Sequence, residues 1–336
     1  MEIKLITNEC DWDEFIRRQP YTLFVQSPEY RRFYESQGEK GWIWGIYEQE
    51  KLIGGSLVLT THARRGNFLY LPYGPILNWS DPVMVQTFFN HLKNFAQKEH
   101  LDFIRTSPFT PANPKGEASL RAAGLRPSPL HSLAEHTWIL SLKDLSEEQL
   151  LAQMKKGHRY EIRRCEKEGV VIEKTTDPSR LAMFNQLHDQ TAQRHNFHRF
   201  SPHYIETEFK NHDSLLILGY LPDGRLDSAA IIIFYGSMAA YRHGASLNLN
   251  NKLPSSYLVQ WSAIKEAKNR NCRHYNFWGI APDNASPHHP FFGLTHFKTG
   301  FGGQGINLQP SFDLPITKKY YLTRFFEYWR KWKRGF

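Results

Sequence analysis

Two long stretches of this sequence follow the same order of predicted elements, and this repetition limits the possible folds more than any other feature. The first contains a hairpin (42–48 and 52–60), a third strand (68–77), a long helix after Asp81-Pro82 and a short strand (102–108). The second contains a hairpin (214–221 and 226–236), the strand AAYRHGAS, a helix after Pro254 and a short strand (274–280). Each copy is far longer than a solenoid repeat, which indicates duplication of a whole domain.

The mixed order of strands and helices predicts an α/β or α+β fold with two domains in tandem. We place the first domain at residues 1–144 and the second at 145–314, since the helix opened by the capping box of Ser146 and Gln149 begins a new run of elements. We expect that helix to continue toward Gly169. No Gly/Ser/Pro-rich linker separates the halves, so we expect them to pack closely around a shared cleft.

Charge and motif content narrow the classes of function. The chain has 42 Lys and Arg against 33 Asp and Glu, a net charge of +9, which favours an anionic partner such as nucleic acid, phospholipid or a phosphorylated substrate. Three widely spaced cysteines, an acidic N-terminus and the absence of a long apolar run predict a reduced, cytoplasmic protein without a membrane span. No GxSxG, HExxH or P-loop pattern occurs, and the sixteen histidines show no metal-ligand spacing.

Several short motifs, in order, resemble the FemXAB family of non-ribosomal peptidyl transferases. They are QSPEYRRFY, LYLPYGPIL, HRYEIRRCEKEGV, TAQRHNFHRF, AYRHGAS, YNFWGI and THFKTGFGG. The resemblance implies two acyltransferase domains of the GNAT type, with a C-terminal helix (315–336) that returns to the first. It also implies transfer of an amino acid from aminoacyl-tRNA, as co-substrate and without a cofactor, to the stem peptide of a peptidoglycan precursor, either UDP-MurNAc-pentapeptide or lipid II. The long coiled-coil insertion of some members is absent.

The stretch FGLTHFKTGFGG provides the candidate catalytic residues. An amine that attacks an ester needs no nucleophilic side chain, but the developing oxyanion must be stabilised. By resemblance, Lys298 would contact the tRNA 3′ end and steady that oxyanion, and Phe297 would line the aminoacyl pocket. Gly300, Gly302 and Gly303 would let the backbone approach a ligand. The alternative is a turn that carries a solvated lysine and ordinary turn glycines.

Two arginines are candidates for the diphosphate of the precursor. By resemblance Arg194 in TAQRHNF holds one such contact, and an arginine fork suits adjacent phosphates. Arg32 in EYRRFY would be the second, although Arg31 competes for the assignment. For each, an ordinary surface cation is the alternative.

The remaining candidates would line the substrate groove. Tyr70 precedes the LPYGP turn and Tyr73 lies within it. Tyr241 and His243 are two residues apart, which predicts one strand face, and by resemblance that face meets the stem peptide. Core packing is the alternative for all four.

The strand IRTSP departs from the family pattern. It carries Arg105 and places Ser107 where a relative has an aspartate, and both are candidate substrate contacts. Without that carboxylate the identity of a general base stays open. Asp313 is expected to tether a loop.

The last segment, TKKYYLTRFFEYWRKWKRGF, interleaves aromatic and basic residues. Such a helix either docks on the first domain or contacts an anionic membrane; we expect that it docks and that residues 318–336 also contact lipid at the inner face of the plasma membrane.

Two other functions are compatible with the same fold. A CoA-dependent N-acyltransferase needs a glycine-rich pyrophosphate loop before a helix, and GGQG at 302–305 has no obvious helix after it. A non-catalytic tRNA- or envelope-binding relative would explain the missing aspartate.

Overall fold

The chain divides into two compact units. The structure, a computed structural model, describes residues 1–63, 66–195 and 197–334, and of Arg334 only the backbone. The first unit comprises residues 1–19, 25–135 and the chain from Asn307 onward; the second comprises Pro20–Phe24 and His136–Ile306. Gly335 and Phe336, the last residues of the predicted C-terminal helix, lie outside the described residues.

The elements alternate between strands and helices in both units. The first unit begins with β1 Glu2–Leu5, α1 Glu9–Arg17, α2 Pro28–Ser36, β2 Gly41–Glu48, β3 Lys51–Ala63, β4 Gly66–Tyr73, α3 Pro82–Lys98, β5 Phe103–Pro108, α4 Pro114–Ala122 and β6 Arg126–Pro127. The second unit contains β7 His136–Ser141, α5 Glu147–Gln153, α6 Lys156–Lys167, β8 Val171–Thr175, α7 Leu181–His195, α8 Pro202–Asn211, β9 Asp213–Tyr220, β10 Leu226–Tyr235, β11 Met238–Ser246, α9 Ser256–Asn269, β12 His274–Gly279, α10 Phe292–Thr299 and β13 Gln304–Asn307. The chain then adds β14 Phe312–Pro315 and α11 Lys319–Arg334 to the first unit.

Each unit has one seven-stranded sheet, which confirms the predicted fold class. The strand orders are β1-β2-β3-β4-β5-β14-β6 and β13-β7-β12-β11-β10-β9-β8. Both predicted hairpins are present, as β2–β3 and β9–β10. In each sheet the third strand of the repeat pairs in parallel with the strand that follows the long helix, β4 with β5 and β11 with β12.

The strand beside each of these parallel pairs comes from a distant part of the chain. In the first sheet, β14 pairs with β5, and in the second, β7 pairs with β12. The main segment of the second unit therefore runs from His136 to Ile306 rather than over the expected residues 145–314. Since β7 is short, its sequence alone does not indicate which sheet it joins.

The long helix of each copy covers one face of its sheet. In α3 the buried side is rich in phenylalanine, with Phe88 and Phe89 fully enclosed. Trp261 and Ile264 of α9 pack in the same way in the second unit. A separate cluster, which includes Phe184 and Phe209, joins α7 and α8 to the opposite face of the second sheet.

Two local predictions need correction. The helix expected from Ser146 toward Gly169 is two helices, because Met154 and Lys155 are extended and the Lys155 N–H donates to the Gly300 carbonyl at 2.9 Å. The predicted capping box at Ser146 is present. The alternative of a solvated turn lysine in FGLTHFKTGFGG is also wrong, because Lys298 is buried in a helix, α10, and the turn begins only after it.

Candidate functional site

The parallel strands β11 and β12 separate after a short paired segment. They pair only from Met238–Ala240 with His274–Asn276, whereas β4 and β5 pair over six residues. Beyond Asn276, β12 turns away at Trp278, which has φ +65° and donates its N–H to the Asn276 side chain at 2.8 Å. In the second unit the sheet therefore opens between the end of β11 and Gly279.

Lys298 of α10 projects into this opening. Its side chain is almost fully buried, with 5% of the residue exposed, and Nζ donates to the Gly279 carbonyl at 2.6 Å. Nζ lies 5.7 Å from the centre of the Tyr241 ring. Burial lowers the pKa of Lys298 to about 7, and no carboxylate among the described residues counters this effect. A buried amine whose pKa lies near neutral pH is readily protonated when a negatively charged ligand binds beside it.

Tyr241 and His243 face opposite sides of the sheet, so the prediction of one shared face is wrong. Tyr241 pairs with Ile232 and His243 with Ile231, because Arg242 is an extra, bulged residue. Tyr241 packs against the α9 side, whereas His243 lies near Phe184 on the other side. Only Tyr241 is at the opening, and burial raises its pKa to about 12.

A buried ionic cluster surrounds the bulge. Glu208 of α8 accepts from Arg242 Nε at 2.9 Å and lies 2.7 Å from His243 Nε2. Burial by itself would raise the pKa of Glu208, but Arg242 and His243 outweigh it and lower the pKa to about 2. The guanidinium of Arg242 also lies within 6 Å of the rings of Phe24 and Trp278. This cluster fixes the strand residue next to Tyr241.

Replacing Glu208 with glutamine should destabilise the chain by about 3 kcal/mol at pH 7, because Arg242 keeps its buried charge. The folded-state pKa lies below the ordinary value near 4.3, so the ionic contribution is complete above about pH 4.5 and is lost as the pH falls toward 2. Urea unfolding across this pH range should show that the difference in unfolding free energy between wild type and Glu208→Gln becomes smaller as the pH falls. The control is Glu206→Gln, which removes the carboxylate of an exposed ion pair with Lys210 on the same helix. Equal unfolding free energies of Glu208→Gln and wild type at pH 7 would contradict the ionic role of Glu208.

The position of Phe297 and Lys298 depends on His158, the first buried residue of α6. His158 Nε2 lies 2.8 Å from the Phe297 carbonyl, and this geometry places the ring proton on Nε2. The same ring packs edge-on to Tyr257 and Phe301. Phe297 is half-buried and contacts Tyr257 and Phe301 with ring centres 5.1 Å apart in each pair. It thereby forms an apolar wall beside Lys298.

Gly300 is explained by this packing. Its backbone is right-handed helical, but a Cβ there would overlap the imidazole of His158. Gly300→Ala is therefore expected to destabilise the protein by displacing α10. The double variant His158→Ala with Gly300→Ala should recover part of the stability, since the clash is removed. Additive losses in thermal unfolding would show that the two residues do not interact.

Gly302 and Gly303 form the turn between α10 and β13. Both have positive φ, +86° and +94°, which favours glycine. A Cβ on Gly303 would overlap the Ile139 carbonyl, and the Gly302 carbonyl accepts from Trp138 Nε1 at 2.7 Å. These contacts support the turn-glycine alternative, and ligand contact by Gly300, Gly302 and Gly303 stays a prediction.

Arg194 is exposed at the end of α7. Its guanidinium donates to the carbonyl oxygens of Ser246, at 2.6 Å, and Leu247. It is therefore held at the end of β11 without a carboxylate partner among these contacts, which leaves its charge for an anion.

Arg32 is engaged differently, in the first unit. Its guanidinium bonds Glu9 at 2.5 Å and Glu29 at 3.0 Å, and Arg31 also pairs with Glu9. A diphosphate would have to displace these carboxylates, so its contact with either arginine stays a prediction.

Arg105 occupies a structural position in the first unit rather than a position open to a substrate. It is buried, and its guanidinium pairs through two hydrogen bonds each with Asp313, at 2.7 and 3.0 Å, and Glu327, at 3.0 and 2.7 Å. Asp313 thus tethers the strand β14 through an ion pair, rather than a loop as expected. Ser107 Oγ lies 2.9 Å from Ser311 Oγ and is also buried. The predicted substrate contacts of Arg105 and Ser107 gain no support from this geometry.

Tyr70 and Tyr73 are buried in the first sheet. Tyr73 donates its hydroxyl to the Ala134 carbonyl at 3.0 Å and packs edge-on to Phe109. This arrangement favours the packing alternative, and substrate contact by the two tyrosines stays a prediction.

Sequence reasoning missed three parts of the site: the Gly279 carbonyl, His158 and Gly244. A Cβ on Gly244 would overlap the hydroxyl of Tyr241, so this glycine gives that ring its space. His158 and Gly244 do lie inside the quoted motifs HRYEIRRCEKEGV and AYRHGAS, a signal that singles out neither residue. No sequence signal identifies a particular backbone carbonyl.

Comparison with known proteins gives one consistent result. The family model described as the FemAB family matches residues 7–119, 131–222 and 225–328. The chain is 20% identical to aminoacyltransferase FemA of Staphylococcus epidermidis, over 93% of this chain and 95% of that protein. It superposes on the crystal structure of FemX with a TM-score of 0.83 and 19% identity, over 97% and 100% of the two chains. A tandem GNAT protein of clavulanic acid biosynthesis gives a TM-score of 0.58 at 11% identity, over 94% and 99%.

Proposed function

Because this chain belongs to the FemAB family and is an aminoacyltransferase, we propose that it transfers an amino acid from aminoacyl-tRNA to the stem peptide of a peptidoglycan precursor, UDP-MurNAc-pentapeptide or lipid II. The observation that carries the proposal is Lys298, a buried amine in the opening between β11 and β12. The proposal also includes a cytoplasmic location and contact of residues 318–336 with an anionic membrane.

The reaction joins an amine of the stem peptide to the carbonyl carbon of the aminoacyl ester. The C–N bond forms, the ester C–O bond breaks, and the proton lost by the amine is matched by one gained by the departing ribose oxygen. Negative charge develops on the carbonyl oxygen before that bond breaks. Lys298, with a pKa of about 7, becomes an ammonium beside such an anion and can donate to it. Tyr241 and Phe297 would border the aminoacyl group.

The basic helix α6 supports RNA as the donor. Its first turn meets the end of α10, where Lys155 bonds Gly300. Lys155, which precedes this helix, and Lys156 and Arg163 within it are exposed. Phosphates of an acceptor arm would find cations here, next to the candidate site, and binding should then weaken steeply as salt rises.

The GGQG segment does not favour a CoA enzyme. It leads into the strand β13, so its N–H groups do not open a helix at which a pyrophosphate would bind. The tandem GNAT neighbour shows only that the fold is shared.

The test is a transfer assay with the purified chain, charged tRNA of glycine, alanine or serine, and soluble and lipid-linked precursors. Mass spectrometry should find a stem peptide heavier by one amino-acid residue. No transfer with any combination would contradict the proposal. Retention of tRNA without turnover would favour a binding protein, and strong thermal stabilisation by acetyl-CoA would favour an N-acyltransferase.

A further inference from the structure

The C-terminal helix α11 turns its apolar side away from the protein. Its outer face consists of Tyr321, Leu322, Phe325, Tyr328, Trp329 and Trp332, all exposed, with Phe325 at 66% and Trp332 at 81%. At about 100° per residue these side chains lie within an arc of about 120°. Outside interfaces, a surface helix usually buries such an arc against its own core.

The inner side of α11 is held by polar groups instead. Glu327, the one acidic residue of the helix, bonds Arg105, and the buried Tyr320 hydroxyl donates to Asp313 at 3.2 Å. Thr323 is also buried on this side. The helix is thus fixed to the first unit through its polar side, so its apolar side is free to contact something else.

Basic residues border the outer face. Lys319 pairs with Asp102. In the described part of the chain, no carboxylate lies within ion-pair distance of Lys318, Arg330, Lys331 or Lys333. Lys331 lies on one edge of the apolar arc and Lys333 on the other, as helical spacing places them. A face of this kind matches a surface with negative charge outside and hydrocarbon beneath.

We propose that the outer face of α11 binds an anionic phospholipid bilayer, with the helix lying in the plane of the headgroups; this rests on the membrane contact included in the proposed function and specifies its face, its orientation and its lipid chemistry. The aromatic side chains would enter the boundary with the acyl chains while the cations contact phosphates. A second copy would bring like charges together across the same face, which disfavours self-association. Within the described residues, no helix has the length and apolarity needed to cross a bilayer, so α11 would bind at the surface.

The test compares flotation of the full chain with phosphatidylcholine vesicles that contain or lack phosphatidylglycerol. We expect at least about tenfold more protein on the anionic vesicles, and less as salt rises. The variant Phe325→Ser, Trp329→Ser, Trp332→Ser should lose at least about tenfold in binding, since each serine removes apolar area from the bilayer. Arg330→Gln, Lys331→Gln, Lys333→Gln should bind weakly and with a shallower salt dependence.

The control replaces two exposed valines elsewhere, Val83→Ser with Val171→Ser, and should bind like wild type. Unchanged thermal unfolding of the α11 variants would show that the inner side still holds the helix. The proposal is overturned if wild type does not bind anionic vesicles, or if the serine variant binds them as well as wild type does. It is equally overturned if the serine variant retains vesicle binding but loses tRNA binding, or if it converts a stable dimer into a monomer without changing vesicle binding.

Discussion

Replacing Lys298 with methionine is expected to lower kcat for amino-acid transfer by about a hundred- to a thousand-fold, the usual cost of removing a donor to a developing oxyanion. Methionine has a similar shape but cannot donate to a carbonyl oxygen. The protein itself should become more stable at neutral pH, because a buried amine with a pKa of about 7 is removed. The lowering of the Lys298 pKa to about 7 corresponds to at most about 5 kcal/mol of folding free energy.

The stability advantage of Lys298→Met over wild type should depend on pH. The folded-state pKa of Lys298 lies below the unfolded one, so the unfolded chain binds more protons between about pH 7 and 10.4. Wild type therefore gains stability across this window, and the advantage of the methionine variant should be largest at pH 7 or below and shrink toward pH 10. Thermal unfolding of both proteins over this range measures it.

An exposed lysine provides the control for this experiment. Lys115→Met, on α4 of the first unit, should change neither kcat nor the pH dependence of unfolding. If Lys298→Met retains more than about a third of wild-type kcat, where a lost oxyanion donor predicts about a hundredfold fall, Lys298 is not a catalytic residue. If the variant loses activity and also melts earlier than wild type, the activity loss reflects misfolding instead.

Replacing Asp313 with alanine should destabilise the first unit by about 3–5 kcal/mol, because it leaves the buried Arg105 with a single carboxylate. Glu327→Gln is expected to cost less, since Asp313 keeps its two bonds to the guanidinium and Glu327 is nearer the surface. Urea unfolding followed by circular dichroism measures both.

The control for Asp313→Ala is an exposed ion pair that also joins an arginine to a carboxylate. Arg121 and Glu117 lie four residues apart on α4, and Glu117→Gln should change stability by less than about 0.5 kcal/mol. Replacing Arg105, Asp313 and Glu327 together with leucine or methionine should recover most of the loss, because no unpaired charge remains buried. A mild effect of Asp313→Ala alone would mean that water reaches Arg105.

The local features of the fold were predictable because their signals lie within a few residues. Asp81 caps α3 by accepting hydrogen bonds from the backbone N–H groups of Val83 and Met84, two and three positions later. The turn between β9 and β10 contains the turn-forming residues Pro222-Asp223-Gly224. The duplicated plan and the family motifs then gave the fold class. The domain boundary was less accurate, since the sheet that β7 joins depends on strands far along the chain.

The site was predictable in part. The motif around Lys298 singled out this lysine as the candidate, but its burial arises from Gly279 and Tyr241, which are distant in sequence. The bulge at Arg242 reversed the expected relation of Tyr241 and His243, because one inserted residue shifts the alternation of a strand.

By itself, the sequence determined the two-domain α/β plan, the helix caps and hairpins, the positive charge and the family, since each is expressed by neighbouring residues or by composition. Only the tertiary structure decided the pKa of Lys298, the pairing of Arg105 with Asp313 across 208 positions, and the outward direction of the apolar side of α11. These properties depend on which groups exclude water from a side chain, and such groups come together only when remote parts of the chain pack.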